Sequence, residues 1–204
     1  MNKAEAIERA IQILEKLPRD VRLHQLDEAF FRSNLPCTVS YGASRYAIVF
    51  KKHGFVLKFP RYSNTHLNYC KKEIERYLSA QNLGIEKILL PIESLQTLQN
   101  GLPIYIQPTY FSSAYDLDKR EAMRLEEKIH RTVNAENYRK VKNGMFNSPD
   151  KLWLHRAIQL YGKQFMKKVE LWTMEWRVDD LHSGNVAYLP GLKPVLSDYA
   201  GYEG

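Results

Sequence analysis

Three side chains with oxygen donors lie near the end of the sequence, in segments rich in turn-forming residues. Asp180 and Asn185 are five residues apart in the segment DLHSGN, and Asp198 follows thirteen residues later. Carboxylate and amide oxygens are hard ligands that suit Mg²⁺, an ion that also binds substrate phosphates. A carboxylate such as Asp180 can instead accept the proton of an attacking hydroxyl. Taken singly, each residue is equally typical of an ordinary turn.

A second candidate group lies in the first half of the chain. Lys58 stands within an apolar run that predicts a strand, and the next predicted helix carries Glu73 and Glu75. A lysine in this position either faces solvent or pairs with an acid, and a paired ammonium would be fixed beside a phosphate. The turn-forming segment 42–45 precedes the strand, and its backbone N–H groups could fold over phosphates.

The elements that must position these groups change in type along the chain. The first half alternates strand patterns with two helical ones, and the second half is helical until a final polar hairpin. The pattern predicts helices over 3–17, 68–81, 117–142 and 151–176, a hairpin of strands 46–50 and 55–59, strands over 87–94 and 102–107, and a short hairpin over 185–189 and 194–197. This order indicates an α+β protein with two lobes and a hinge near 107–110.

The order of these motifs resembles that of the protein-kinase-like superfamily. The likeness runs from about Ser40 to Gly201 and is strongest to small bacterial and phage kinase-like proteins and to aminoglycoside phosphotransferases, which share an Asp-Leu-His-x-Gly-Asn loop. It implies a minimal bilobal kinase-like fold. Residues 1–37 would be a helical extension, 38–109 an N-lobe with an antiparallel sheet, and 110–204 a reduced helical C-lobe.

The resemblance also implies a role for each matching residue, with ATP and Mg²⁺ as ligands. Some of these residues would bind the phosphates, others would bind Mg²⁺ or accept the proton, and two would hold the adenine. The implied roles are Lys58 on the α- and β-phosphates with Glu73 as its partner (Glu75 as the fallback), Gly42, Ser44 and Arg45 in the phosphate-covering loop, Gln107 and Thr109 in the adenine-holding hinge, Asp180 as the base, and Asn185 and Asp198 as Mg²⁺ ligands.

The sequence departs from the protein-kinase pattern in three places. The predicted phosphate loop has one glycine where protein kinases have three, and Val178 and Asp179 replace the usual His-Arg before the base. The sequence also ends six residues after Asp198, without an activation segment or later helices. We therefore expect the acceptor hydroxyl to belong to a small molecule, a partner side chain or the protein itself, with no obvious place for a peptide substrate.

Composition limits the class of protein. The 204 residues are 44% apolar and 26% charged, which is ordinary for a globular chain, and their apolar runs are far too short to span a bilayer. The N-terminal residues lack the apolar core of a secretory signal. We therefore expect a cytoplasmic protein without a membrane partner.

Charge is concentrated in one stretch. Residues 137–168 hold eight Lys or Arg and one acid, an excess that equals the net charge of +7. Interleaved aromatic residues would suit stacking on nucleic acid, but their helical spacing favours a core stripe. Two functions follow: a phosphotransferase that moves the γ-phosphoryl of ATP to an unknown acceptor, or an inactive kinase-like module that docks an acidic protein or a nucleic acid through this basic face.

Overall fold

A computed structural model of the chain describes residues 1–42, 44–61, 64–132, 151–178 and 183–199. Within these ranges the chain forms both helices and antiparallel sheets, so the predicted α+β class is confirmed. The elements in chain order are α1 Lys3–Glu15, α2 Leu23–Arg32, β1 Thr38–Tyr41, β2 Arg45–Phe50, β3 Phe55–Pro60, α3 Asn64–Asn82, β4 Ser94–Thr97, β5 Pro103–Pro108, α4 Ala114–Thr132, α5 Lys151–Tyr161, α6 Lys163–Glu175, β6 Val186–Leu189 and β7 Lys193–Leu196.

The chain divides into two compact units. The first comprises Met1–Glu75 and Pro91–Thr109, and the second comprises Arg76–Leu90 and Tyr110–Gly204. Helix α3 contributes residues to both units, because the boundary between them falls after Glu75. Each unit has its own sheet: five strands in the first and two in the second.

The first unit is built on a five-stranded antiparallel sheet with the strand order β1-β2-β3-β5-β4. Side chains along β2 alternate between buried and half-buried, the period of two expected when one sheet face lies in the core. The predicted hairpin of β2 and β3 is confirmed. Its turn ends at Gly54, whose φ of 70° is a left-handed conformation that glycine adopts without steric cost.

Helices α1 and α2 join the apolar core of this sheet. The N-cap residue of helix α1 is Asn2, whose side chain accepts a hydrogen bond from the Glu5 N–H at 3.0 Å while the Glu5 carboxylate accepts one from the Asn2 N–H at 2.8 Å. This capping box satisfies backbone donors that the first turn leaves open. The core residues that these helices share with the strands are Ala6, Ala10, Leu14, Leu26, Phe30, Ile48, Phe50, Phe55, Leu57, Phe59, Ile104 and Ile106.

In the second unit, the hairpin of β6 and β7 is held by hydrogen bonds to its backbone. Trp153 Nε1 donates to the Val195 carbonyl at 3.1 Å, and the Tyr161 hydroxyl contacts the carbonyls of Lys87 and Pro194 at 3.0 and 3.1 Å. Burial raises the pKa of Tyr161 to about 12, so the hydroxyl stays protonated and remains a donor at neutral pH. The predicted C-terminal hairpin is therefore confirmed, and helix α5 fixes its position.

Two predictions of secondary structure from the sequence are wrong. Residues 151–176 were expected to form one helix but form α5 and α6, which are separated at Gly162. Gly162 has φ 85° and ψ 155°, a conformation essentially confined to glycine. The strand expected over 87–94 is instead a short 3-10 turn over Glu86–Ile88 and a connection that is buried only at Leu89 and Leu90, with β4 beginning only at Ser94.

The predicted helix over 117–142 corresponds to α4, and its residues 133–142 lie outside the described residues. The regular part of α4 begins at Asp118, which has the non-helical φ of −151°. Its Oδ1 accepts a hydrogen bond from the Glu121 N–H at 3.0 Å. This is the arrangement of an N-cap residue, so Asp118 sets the start of the helix that the sequence predicted one residue earlier.

Gly162→Ala should destabilise the second unit, because the fold would hold alanine at φ 85° and ψ 155°, where its β-carbon causes strain. We expect a loss of about 1–3 kcal/mol in the free energy of unfolding. The control is Gly42→Ala, because φ at Gly42 is not positive and an added β-carbon there meets no atom within 4 Å. That change should leave stability unaltered or raise it by less than about 1 kcal/mol. Equal effects of both substitutions in urea unfolding would contradict the assignment of a helix break at Gly162.

Candidate functional site

Three polar side chains share one face of the five-stranded sheet. Lys58 on β3 pairs directly with Ala47 on β2 and with Tyr105 on β5. Directly paired residues point to the same side of a sheet, and so do residues two apart along a strand. Arg45, two residues before Ala47, therefore lies on the face that also carries Lys58 and Tyr105. The apolar core with α1 and α2 is formed by the alternate residues of these strands.

Helix α3 delivers a carboxylate to this face. Glu73 has no solvent exposure, whereas Glu75 is exposed. Glu73 Oε2 forms an ion pair with Arg45 Nη1 and accepts a hydrogen bond from the Tyr105 hydroxyl at 2.7 Å. Arg45 Nη1 also lies 3.2 Å from the Tyr105 oxygen. The three side chains form a closed polar cluster, which we call the Glu73 cluster (Arg45, Glu73 and Tyr105).

The energetics of the Glu73 cluster follow from its burial. Removing a carboxylate from water costs several kcal/mol unless a cation and hydrogen-bond donors replace the lost solvent. Arg45, which is only 11% exposed, and Tyr105 supply these to Oε2. The other oxygen, Oε1, is buried and accepts no hydrogen bond from any described residue. Glu73 therefore contacts the sheet face that carries Lys58 through Oε2 and keeps Oε1 without a donor among the described residues.

The loop between β1 and β2 is the predicted phosphate-covering loop. The Gly42 N–H donates to the Arg45 carbonyl at 2.9 Å, and the Ser44 carbonyl accepts from the Arg61 N–H at 3.0 Å. The Arg61 guanidinium donates to the Gly42 carbonyl at 3.3 Å and lies 6.0 Å from the centre of the Tyr41 ring. Arg61 thus forms hydrogen bonds to a residue on each side of the loop, Gly42 and Ser44. The space beside Gly42 is open, which leaves room for a ligand to approach the backbone.

The two residues predicted to hold adenine lie at the end of β5. Gln107 is fully buried within the strand and pairs with Val56 of β3. Thr109 follows the strand, and its N–H donates to the Gly54 carbonyl at 2.9 Å. Gln107 therefore lies on the same sheet face as Lys58 and Tyr105, because these residues are paired or two apart along adjacent strands.

The two predicted Mg²⁺ ligands lie at the open end of the hairpin in the second unit. Asn185 comes directly before β6, and Asp198 comes two residues after β7. The Ser197 N–H donates to the Asn185 carbonyl at 2.9 Å, so the ladder continues past the strands and places Asp198 next to a residue bonded to Asn185. One amide and one carboxylate, both half-buried, thus lie at the same end of the hairpin. This donor set is the kind that Mg²⁺ prefers.

Other predicted features fall outside the described residues. Asp180, the predicted base, is one of them, and so are residues 137–150 of the basic stretch. In the ranges that are described, no three His, Cys, Asp or Glu residues cluster as a metal site. Lys163, Lys167 and Lys168 are described, and all three are exposed on α6.

Tyr105 and the partner of Arg45 were not predicted from the sequence. Tyr105 lies 32 residues from Glu73 and 60 from Arg45, so only the register of three strands brings the cluster together. A signal was present, because Tyr105 and Gln107 alternate with apolar residues in the strand next to Lys58. Arg45 was expected in the loop, but it is the first residue of β2.

Comparison with known proteins adds no relative: no family model, curated protein or solved structure matches the chain. Among the helices of the described ranges, none is both long and apolar enough to cross a membrane.

Glu73→Gln should destabilise the first unit, because it removes the anion that neutralises the poorly exposed Arg45. We expect a loss of roughly 3 kcal/mol in the free energy of unfolding, typical of breaking a buried ion pair. Glu75→Gln is the matched control on the exposed side of the same helix and should change stability by less than about 0.5 kcal/mol. Urea unfolding followed by far-ultraviolet circular dichroism measures both, and similar losses would contradict a special role for Glu73.

Proposed function

We propose that the protein is an ATP- and Mg²⁺-dependent phosphotransferase with a minimal, bilobal kinase-like fold. The observation that carries this proposal is the buried Glu73 carboxylate, which α3 holds against the sheet face of Lys58. A fully buried acid that leaves one oxygen without a donor is costly for a purely structural element. This cost is explained if the Glu73 carboxylate holds in place the cationic side chains that bind phosphate.

In this proposal the first unit binds the nucleotide. Lys58 and Arg45 would offset the charge of the phosphates, and Glu73 would hold the cations in place through its two oxygens. The loop of Gly42 and Ser44 would cover the phosphates with backbone N–H groups other than that of Gly42, which is bonded to the Arg45 carbonyl. Adenine would lie near Gln107 and Thr109. The strand pairing supports this assignment, because it gathers Lys58, Arg45 and Gln107 on one face.

The second unit would supply the metal ligands. Asn185 and Asp198 would be the ligands of Mg²⁺, because both residues lie at the same end of the hairpin and their side chains are one amide and one carboxylate. When bound, Mg²⁺ would neutralise phosphate charge and orient the phosphates. Asp198 and Asn185 would remain in place through the reaction, because their backbone is tied into the hairpin.

The chemical step would be an in-line transfer. Asp180 would accept the proton of the acceptor hydroxyl, whose oxygen forms a bond to the γ-phosphorus as the bond between that phosphorus and the bridging oxygen of ADP breaks. The products are ADP and a phosphate ester, and the proton stays on Asp180 until solvent removes it. The acceptor class is a hydroxyl of a small molecule, of a partner protein or of the chain itself, in the cytoplasm.

Asp198→Ala should abolish the stabilisation that Mg²⁺-ATP gives to the wild-type protein. Ligand at a hundredfold excess over its dissociation constant adds about 2.7 kcal/mol to the free energy of unfolding. For a chain of this size that corresponds to a rise of roughly 5–10 °C in Tm. Asp116→Ala is the control, because Asp116 is an exposed acid of the same unit. The measurement is thermal unfolding with and without Mg²⁺-ATP.

Two results would contradict the proposal. One is a wild-type Tm that Mg²⁺-ATP leaves unchanged, and the other is an equal shift in Asp198→Ala. Transfer itself is tested by incubating the protein with ATP and candidate hydroxyl acceptors and then searching by mass spectrometry for an added phosphate. The Asp180→Asn variant, which cannot accept the proton as a carboxylate does, should form none.

A second candidate function is a kinase-like binding module without turnover. The exposed lysines on α6 favour it, because Lys163, Lys167 and Lys168 form no ion pair with any described residue. They would dock an acidic protein or a nucleic acid. Binding through such lysines weakens steeply as salt rises. Partner binding that is lost between low and physiological salt, combined with no effect of nucleotide on Tm, would select this function over the first.

A further inference from the structure

A buried arginine holds the backbone beside the predicted metal ligand. Arg76 lies on α3 within the second unit and is only 7% exposed. Its Nη1 donates to the Tyr199 carbonyl at 3.1 Å, and its Nη2 donates to the Trp176 carbonyl at 2.5 Å. The guanidinium therefore joins two segments that lie 100 and 123 residues away in the sequence.

Both carbonyls belong to segments that lead to functional candidates. Tyr199 directly follows Asp198, and Trp176 caps the end of α6, four residues before Asp180 in the sequence. Tyr199 is itself fixed from its other end, because its ring is fully buried and its hydroxyl donates to the Leu90 carbonyl at 3.0 Å. The backbone at Asp198 thus lies between the hairpin ladder on one side and Arg76 on the other.

The type of side chain matters here. A guanidinium is planar and presents several N–H donors in a rigid fork, so one arginine can bind two carbonyls at a fixed angle. A lysine ammonium keeps the charge but lacks this fork. Burying a charged group is costly, and this cost is offset in part if the guanidinium holds the two segments in one geometry.

We propose that Arg76 is a positioning residue that sets the geometry of the Mg²⁺-binding segment through the Tyr199 carbonyl and of the segment before Asp180 through the Trp176 carbonyl. This proposal rests on the proposed phosphotransferase function, because it assigns Arg76 to the same metal site. Arg76 touches neither nucleotide nor metal in this role. It acts through the backbone of the residues that do.

The chain offers a matched control for this arginine. Arg156 also lies in the second unit and also donates to two backbone carbonyls, those of Leu192 at 3.3 Å and Gly191 at 3.4 Å. These carbonyls lie at the turn between β6 and β7, the opposite end of the hairpin from Asn185 and Asp198. Arg156→Lys therefore removes the same kind of contact from the same hairpin, away from the metal ligands.

The experiment measures the affinity of the full-length protein for Mn²⁺, a paramagnetic substitute for Mg²⁺, by electron paramagnetic resonance in the presence of a non-hydrolysable ATP analogue. Arg76→Lys should weaken Mn²⁺ binding by about 10–100-fold, the usual effect of losing a group that orients metal ligands. Arg156→Lys should bind Mn²⁺ as the wild type does, even if its Tm falls as far. A merely structural role would lower Tm in both variants without separating their Mn²⁺ affinities.

Each outcome decides one question. Wild-type protein that binds no Mn²⁺ with nucleotide overturns the proposed function and this inference with it. Wild-type binding that Arg76→Lys leaves unchanged overturns only the role of Arg76. If Arg76→Lys does not fold, Arg76→Gln is used in its place, and the guanidinium NMR signals of the wild type provide a measurement without mutation. Mg²⁺ with nucleotide should shift the signals of Arg76 but not those of Arg156, and the reverse would overturn the proposal.

Discussion

The first unit depends on one buried carboxylate. A fully buried carboxylate on α3 needs a cation and a hydrogen-bond donor beside it. The sheet provides both to Glu73, as Arg45 and Tyr105. This requirement fixes the rotation of α3 about its axis and the register of β2 and β5 relative to each other. A slip of one residue in either strand would turn its member of the cluster to the opposite face of the sheet. Lys58 shares the selected face, so the same interaction that orders the unit also forms the candidate nucleotide site.

The second unit uses the same helix in a different way. Arg76, one turn beyond Glu73, donates to two backbone carbonyls, and these carbonyls flank the segments of the proposed chemistry. The hairpin of β6 and β7 fixes Asn185 and Asp198 from the other side. In the proposed phosphotransferase, one helix would thus support phosphate-binding cations through a buried anion and metal ligands through a buried cation. Preorganisation of this kind is how enzymes stabilise charge that develops during transfer.

The sequence predicted those parts of the fold that depend on local patterns. The amphipathic helix over 3–17 and the hairpin at Gly54 were both expected, because spacing and turn residues determine them. The break at Gly162 was missed, since a glycine within a helical pattern is usually tolerated and only its backbone angles reveal the break. The candidate residues could be proposed from motif order. The Glu73 cluster could not, because it requires the register between strands 60 residues apart, and the position of Asp180 lies outside the described residues.

The central claim is that Lys58 contacts the phosphates of a bound nucleotide. An ATP analogue with a reactive acyl-phosphate group tests it directly, because the analogue acylates whichever lysine amine lies beside its phosphates. After brief labelling at neutral pH, mass spectrometry identifies the modified lysines with and without excess Mg²⁺-ATP. We expect Lys58 to be the principal modified residue and ATP to suppress its labelling. Labelling confined to exposed lysines such as Lys163, Lys167 and Lys168, unaffected by ATP, would contradict it.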